Sequence, residues 1–101
     1  MKPLQILLVD DEHFVIRGIN SLIDWEGNGF PEPLAAHSGE AALALMERQP
    51  VDIVITDVKM APMDGLELLR EIKRRGYKCE VIILSCHSEY AYSRAAIQNG
   101  A

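Results

Sequence analysis

The chain has 101 residues, 49% of them hydrophobic and 25% charged, the balance of a globular domain built on one core. Its formal net charge of -5 argues against nonspecific nucleic-acid binding by this segment, because phosphate contacts need clustered Lys and Arg. No apolar run approaches the ~18 residues a membrane span needs, and Met1-Lys2-Pro3-Leu4 leads into a strand without a signal-peptide pattern.

Strands and helices alternate along the chain. Leu4 to Val9 contains the short, continuously apolar run Ile6-Leu7-Leu8-Val9, which predicts a buried parallel strand closed by Asp10 and Asp11. A helix is expected from about Phe14 to Ile23, with Val15, Ile19, Leu22 and Ile23 at helical spacing. Asp24-Trp25-Glu26-Gly27-Asn28-Gly29 ends it in a turn. A short second strand is expected at Pro33 to Ala36, and the two prolines Pro31 and Pro33 place it at a sheet edge. Ser38 N-caps a second helix from about Gly39 to Arg48. Val51 to Thr56 is the third strand and ends at Asp57. Asp64 and Glu67 have capping-box spacing and open a third helix, which runs to about Arg75 and stops at Gly76. Val81 to Leu84 is the fourth strand, and Ser88 caps a fourth helix that continues to about Asn99 and ends at Gly100.

Four βα units in succession predict an α/β doubly wound parallel sheet with helices on both faces. The order 2-1-3-4 fits, with strands one and three central. Strand four, Val81-Ile82-Ile83-Leu84, is apolar and uncharged, a poor sheet edge. The expectation is that a further strand covers it, from a longer parent chain or from a partner.

In such sheets reactive groups gather at the carboxyl ends of strands where strand order reverses. Adjacent strands one and three would bring Asp10, Asp11 and Asp57 together there. Three close carboxylates repel, which points to a divalent cation, a raised pKa or both. Asp57 is positioned to act as a nucleophile toward a phosphoryl group, as a metal ligand, or as both. Asp11 and Asp57 would share a magnesium ion, with Asp10 helping directly or through water. The plainer alternatives are that Asp10 and Asp11 only cap the first helix and that Asp57 only opens the turn Lys59-Met60-Ala61-Pro62. The joint placement of the acids favours the chemical reading.

Ser85 ends strand four, and its hydroxyl would reach a phosphoryl oxygen on Asp57. His13 reads as a solvated residue at a helix start, Met60 and Met63 as packing for a turn, and Trp25 as a seal on the core. Lys73-Arg74-Arg75 with Arg70 lies at a helix end, where cations complement the dipole. Cys79 and Cys86 have neither CxxC nor metal-ligand spacing, which suits buried packing in a reducing cytoplasm. No Walker loop or dinucleotide fingerprint is present; Gly27-Asn28-Gly29 lacks the third glycine and the preceding strand.

With these residues placed, the chain resembles the receiver domain of two-component response regulators across essentially its whole length. The matching segments are Leu8-Val9-Asp10-Asp11-Glu12, Ile55-Thr56-Asp57-Val58-Lys59-Met60, Met63-Asp64-Gly65-Leu66-Glu67-Leu68 and Ile82-Ile83-Leu84-Ser85. Leu22-Ile23-Asp24-Trp25-Glu26 with Gly29-Phe30, and Ser88-Glu89-Tyr90-Ala91-Tyr92 after Leu84-Ser85, resemble the subgroup with an AraC-type helix-turn-helix output domain. The resemblance implies a flavodoxin-like fold and residues 1–101 as one receiver domain, incomplete at the C-terminus. It implies Asp57 as phosphoacceptor, Asp10 and Asp11 as the magnesium pair, the backbone carbonyl of Lys59 as a further Mg2+ ligand, and Ser85 as the switch hydroxyl. It also implies a cytoplasmic phosphoprotein of phosphorelay signal transduction, charged by a histidine kinase. Such a chain self-catalyses phosphorylation and dephosphorylation at most and is otherwise no enzyme. A second copy of the chain is a candidate partner, a membrane is not, and DNA is reached only through an output domain that controls transcription.

Two departures stand out. The family's Met-Pro-x-Met turn here reads Met60-Ala61-Pro62-Met63, with the proline shifted by one position. The family's fifth strand, with its switch aromatic and essential lysine, and its fifth helix have no counterpart, and Lys59 is not that lysine by position. A pseudo-receiver that works only as an interaction module is therefore the main alternative. A magnesium phosphatase of the haloacid-dehalogenase type is disfavoured, because it wants Asp-x-Asp after strand one and the acids here are adjacent.

Overall fold

The structure, a computed structural model, describes residues 3–84. Strands β1 (Ile6–Val9), β2 (Leu34–Ala36), β3 (Ile53–Asp57) and β4 (Glu80–Leu84) alternate with helices α1 (His13–Leu22), α2 (Gly39–Arg48) and α3 (Gly65–Arg74). All strand pairs are parallel and the sheet order is β2-β1-β3-β4. This is the expected 2-1-3-4 doubly wound, flavodoxin-like sheet with β1 and β3 inside. The expected helix after Ser88, together with Ser85 and Cys86, lies outside the described residues.

Side-chain alternation along the strands divides the core in two. Leu7, Val9 and Val54 point to one face and pack with Leu43 and Met46 of α2 and Leu68, Leu69 and Ile72 of α3. Ile6 and Leu8 point to the other and meet Ile16 of α1, with Ile19, Ile53, Ile55, Trp25 and Phe30 around them. Helices thus lie on both faces, as right-handed crossovers require.

The helix boundaries follow local chemistry. The Ser38 side chain accepts a hydrogen bond from the Ala41 N–H at 3.0 Å and opens α2. At α3 the full capping box forms: Glu67 N–H donates to Asp64 Oδ1 at 2.8 Å, and Asp64 N–H donates to Glu67 Oε1 at 3.3 Å. Beyond α3, Gly76 takes the left-handed φ of 77° that stops the chain there. Trp25 seals the smaller core as expected, edge-on to Phe30 and donating from Nε1 to Asn20 Oδ1 at 2.9 Å.

Several boundaries move by a residue or two. β1 begins at Ile6 rather than Leu4, and β3 at Ile53 rather than Val51. Leu4 is about half exposed and flanks the paired segment, because parallel pairing starts where Ile6 meets Ile53. Asp57 is the last residue of β3 rather than the first after it, paired with Leu84. β4 also takes in Glu80, whose partner is Ile53. α1 begins one residue earlier, at His13, and ends at Leu22. The N-cap of α1 is Glu12, without a side-chain capping bond, so neither Asp10 nor Asp11 is its cap residue.

Lys73 and Arg74 lie in the last turn of α3, where cations complement the dipole as expected, and Arg74 and Arg75 are also engaged with acids. Arg74 and Arg75 both pair with Glu71, and Arg75 reaches Glu47 of α2 at 3.1 Å. These donors hold the Glu71 carboxyl down at about 2, the Arg74 hydrogen bond contributing most.

Candidate functional site: an acidic cluster at the carboxyl ends of the central strands

Strand register builds the site. Val9 of β1 pairs with Thr56 of β3, so Asp10 and Asp57 are the next residues on adjacent strands. Both fall on the α1 face, in phase with Leu8 and Ile55. Asp11 follows in the loop to α1. Asp10, Asp11 and Asp57 each offer a carboxylate oxygen, and these oxygens lie within 4.8 Å of one another. The convergence expected from the two apolar runs is therefore present.

Asp10 is the most buried of the three, at 7% exposure. One of its oxygens accepts the Glu12 N–H at 2.9 Å. Burial raises its pKa above the ordinary carboxylate value. The Glu12 N–H opposes that rise, and the charges of Asp57, Asp11 and Glu12 add to it. Asp57 is half-buried, and its Oδ1 accepts the Val58 N–H at 2.8 Å, which fixes the plane of the carboxylate. Lys59, exposed and two residues on, lines the same cavity of about 490 Å³ as Asp10 and Asp57.

Behind Asp57 the backbone is clamped. Thr56 is 1% exposed, and its hydroxyl donates to the Asp57 carbonyl at 3.0 Å, with the Met60 sulfur at 3.9 Å. Gly65, the first residue of α3, donates its N–H to the Val58 carbonyl at 2.8 Å. A Cβ on Gly65 would lie 2.2 Å from the Asp57 carbonyl oxygen. Only a glycine lets α3 approach the strand end this closely. Met60 and Met63 pack the intervening turn, Met60 buried and Met63 against the larger core, and the Ala61–Pro62 peptide within it is cis.

Two contributors were not singled out as part of the site from sequence. Thr56 reads there only as a strand residue. His37 belongs to no motif in the sequence, yet its Nδ1 lies 3.2 Å from the Asp10 carbonyl oxygen. That contact follows from the β1–β2 register, which no spacing rule in the sequence supplies. His13 is exposed at the start of α1 as expected, but its ring stacks on His37.

The donor set fits a hard divalent cation. Carboxylate oxygens suit Mg2+, and the three carboxylates Asp10, Asp11 and Asp57 each have an oxygen within 4.8 Å of the others. Among the described residues no helix is long and apolar enough to cross a membrane.

A parallel 2-1-3-4 sheet with acids gathered at the ends of its central strands defines a receiver-type α/β domain. The response regulator receiver domain family matches residues 6–101, and the chain belongs to that family. It is 39% identical over 97 residues to the uncharacterized transcriptional regulatory protein YesN of Bacillus subtilis, covering 95% of this chain and 26% of that protein. It is 33% identical over 95 residues to the transcriptional regulatory protein HptR of Staphylococcus aureus, covering 94% of this chain and 37% of HptR. The chain thus spans about a quarter to two fifths of these relatives. Among solved structures, a two component transcriptional regulator AraC from Clostridium phytofermentans superposes with a TM-score of 0.84 at 36% identity, over 94% of this chain and 74% of that one.

Proposed function

We propose that this receiver domain is a phosphoacceptor, with Asp57 as the acceptor and a histidine kinase as the donor. The observation that carries the reading is the convergence of Asp10, Asp11 and Asp57 at the ends of adjacent central strands. In the transfer, an Asp57 carboxylate oxygen forms a bond to phosphorus. The phosphorus–nitrogen bond of the donor phosphohistidine breaks, and the leaving imidazole takes up a proton. The product is an acyl phosphate. Asp10, Asp11, Asp57 and the Lys59 carbonyl are the ligands proposed for Mg2+, which when bound offsets the charge of the phosphoryl oxygens.

The chain's own residues supply the positioning. The Val58 N–H orients the acceptor carboxylate. Thr56 and Gly65 hold the backbone on either side of it. Ser85, outside the described residues, is proposed to donate its hydroxyl to the phosphoryl group and so bias a two-state loop. The likeness to YesN and HptR supports control of transcription by the whole protein, and the likeness to the Clostridium two component transcriptional regulator AraC supports an AraC-type output domain. The protein is then a cytoplasmic signalling component rather than an enzyme with a diffusible substrate.

Intact mass after incubation with Mg2+ and a small acyl phosphate tests the reading. One phosphoryl group on the wild type and none on Asp57→Asn is the expected result. Label that persists on Asp57→Asn would move the acceptor elsewhere, and no uptake by the wild type would favour a pseudo-receiver.

A further inference from the structure

Val9 pairs with Ala36, so Asp10 and His37 are the residues that follow on adjacent strand ends. The Asp10 N–H donates to the Ala36 carbonyl at 3.1 Å and holds the two chains together at that point. His37 adds two contacts beyond the sheet. Its Nδ1 lies 3.2 Å from the Asp10 carbonyl oxygen. A carbonyl only accepts, so in this contact Nδ1 carries the proton and donates. Its ring also stacks on His13, with centroids 3.6 Å apart and planes within 2°. Asp10 opens the acidic loop and His13 closes it as the first residue of α1. His37 therefore holds the loop at both ends, and Asp11 and Glu12 lie between the two holds.

The loop needs holding. Asp10, Asp11 and Asp57 converge within 4.8 Å, and like charges at that distance push a flexible segment apart. Asp11 and Glu12 are exposed and carry no core packing that would resist. A loop that relaxed outward would have to be re-ordered by each incoming cation, and that ordering free energy would be subtracted from affinity.

We propose that His37 is a positioning residue of the acidic site, keeping the loop of residues 10–13 in its cation-ready shape through the Asp10 carbonyl and the His13 ring. The proposal rests on reading the cluster as a divalent-cation centre. His37 itself is neither ligand nor reactant.

The test is a titration of the 101-residue chain with MgCl2, followed by backbone amide NMR shifts, beside thermal melts in EDTA. Three variants separate the contacts. His37→Ala removes both, His37→Asn keeps an N–H donor without the ring, and His37→Phe keeps a stacking ring without the donor. Supporting groups around metal sites change affinity by about 10–100-fold when removed, so His37→Ala should weaken Mg2+ binding by about tenfold. His37→Asn and His37→Phe should each recover part of that loss, and the EDTA melting temperatures should stay close to wild type. Wild-type Mg2+ affinity in His37→Ala overturns the proposal. So does weakened binding that neither partial variant recovers and that tracks a fall in the EDTA melting temperature, because His37 would then only stabilise the fold. If the wild type shows no Mg2+ response while the fold is intact, the cation-centre reading itself fails and the proposal falls with it.

Discussion

Gly65→Ala sets two effects of opposite sign against each other. Gly65 is the first residue of α3 and is not one of the glycines with positive φ, so alanine is conformationally allowed there. Helix propensity alone would predict a gain of up to about 1 kcal/mol. Packing predicts the reverse. The new Cβ would stand 2.2 Å from the Asp57 carbonyl oxygen and 3.1 Å from both the Asp57 carbonyl carbon and the Val58 Cα. All three are backbone atoms, so no side chain can rotate away. Ordinary carbon–oxygen contacts lie near ~3.3–3.6 Å, so α3 must retreat by roughly 1 Å. That retreat strains the 2.8 Å bond from Gly65 N–H to the Val58 carbonyl, worth about 0.5–1.5 kcal/mol, and overpacking costs about 1–3 kcal/mol more. The net expectation is a loss of about 1–3 kcal/mol. Gly18→Ala is the control, because a Cβ there meets nothing within 4 Å in the middle of α1. It should gain about 0.5–1 kcal/mol. Urea unfolding followed by far-UV circular dichroism reads both. Gly65→Ala as stable as wild type, with Gly18→Ala stabilised, would refute the claim that glycine is needed for α3 to reach the end of β3.

Ser38→Ala removes the N-cap of α2 and should cost about 1 kcal/mol in the same unfolding assay. Asp10→Asn should raise the melting temperature in EDTA at neutral pH. A carboxyl whose folded pKa is raised loses stability as pH climbs past its ordinary value, and the amide avoids that loss while still accepting the Glu12 N–H. An unchanged or lower melting temperature would count against a cost from burying the Asp10 charge beside the other acids. Glu71 has the opposite sign. Its folded pKa is depressed from 4.5 to about 2, so its contribution is present above 4.5 and fades as pH falls toward 2. Glu71→Gln should flatten the stability–pH curve in that window, as acid titration of the melting temperature would reveal.

The one-dimensional pattern already contained the fold and most of the site. Two continuous apolar runs ending in acids, Ile6–Val9 before Asp10 and Ile53–Thr56 before Asp57, announce buried parallel strands, because a sheet covered on both faces needs no alternation. Local capping chemistry at Ser38 and Asp64 was equally legible, since a cap and its N–H partner lie within three residues of each other. What the tertiary structure alone decided is what depends on register between distant segments. The pairing of Val9 with Ala36 sets His37 against the Asp10 carbonyl, 27 residues away. The closeness of α3 to β3 makes Gly65 a packing requirement rather than a weak helix former. The burial of Asp10 raises its pKa, and the pairing of Val9 with Thr56, which brings the carboxylates within 4.8 Å, adds to that rise. Composition and periodicity encode which faces are buried; distances between groups on different strands arise only when the sheet chooses its register and the helices choose how near they pack.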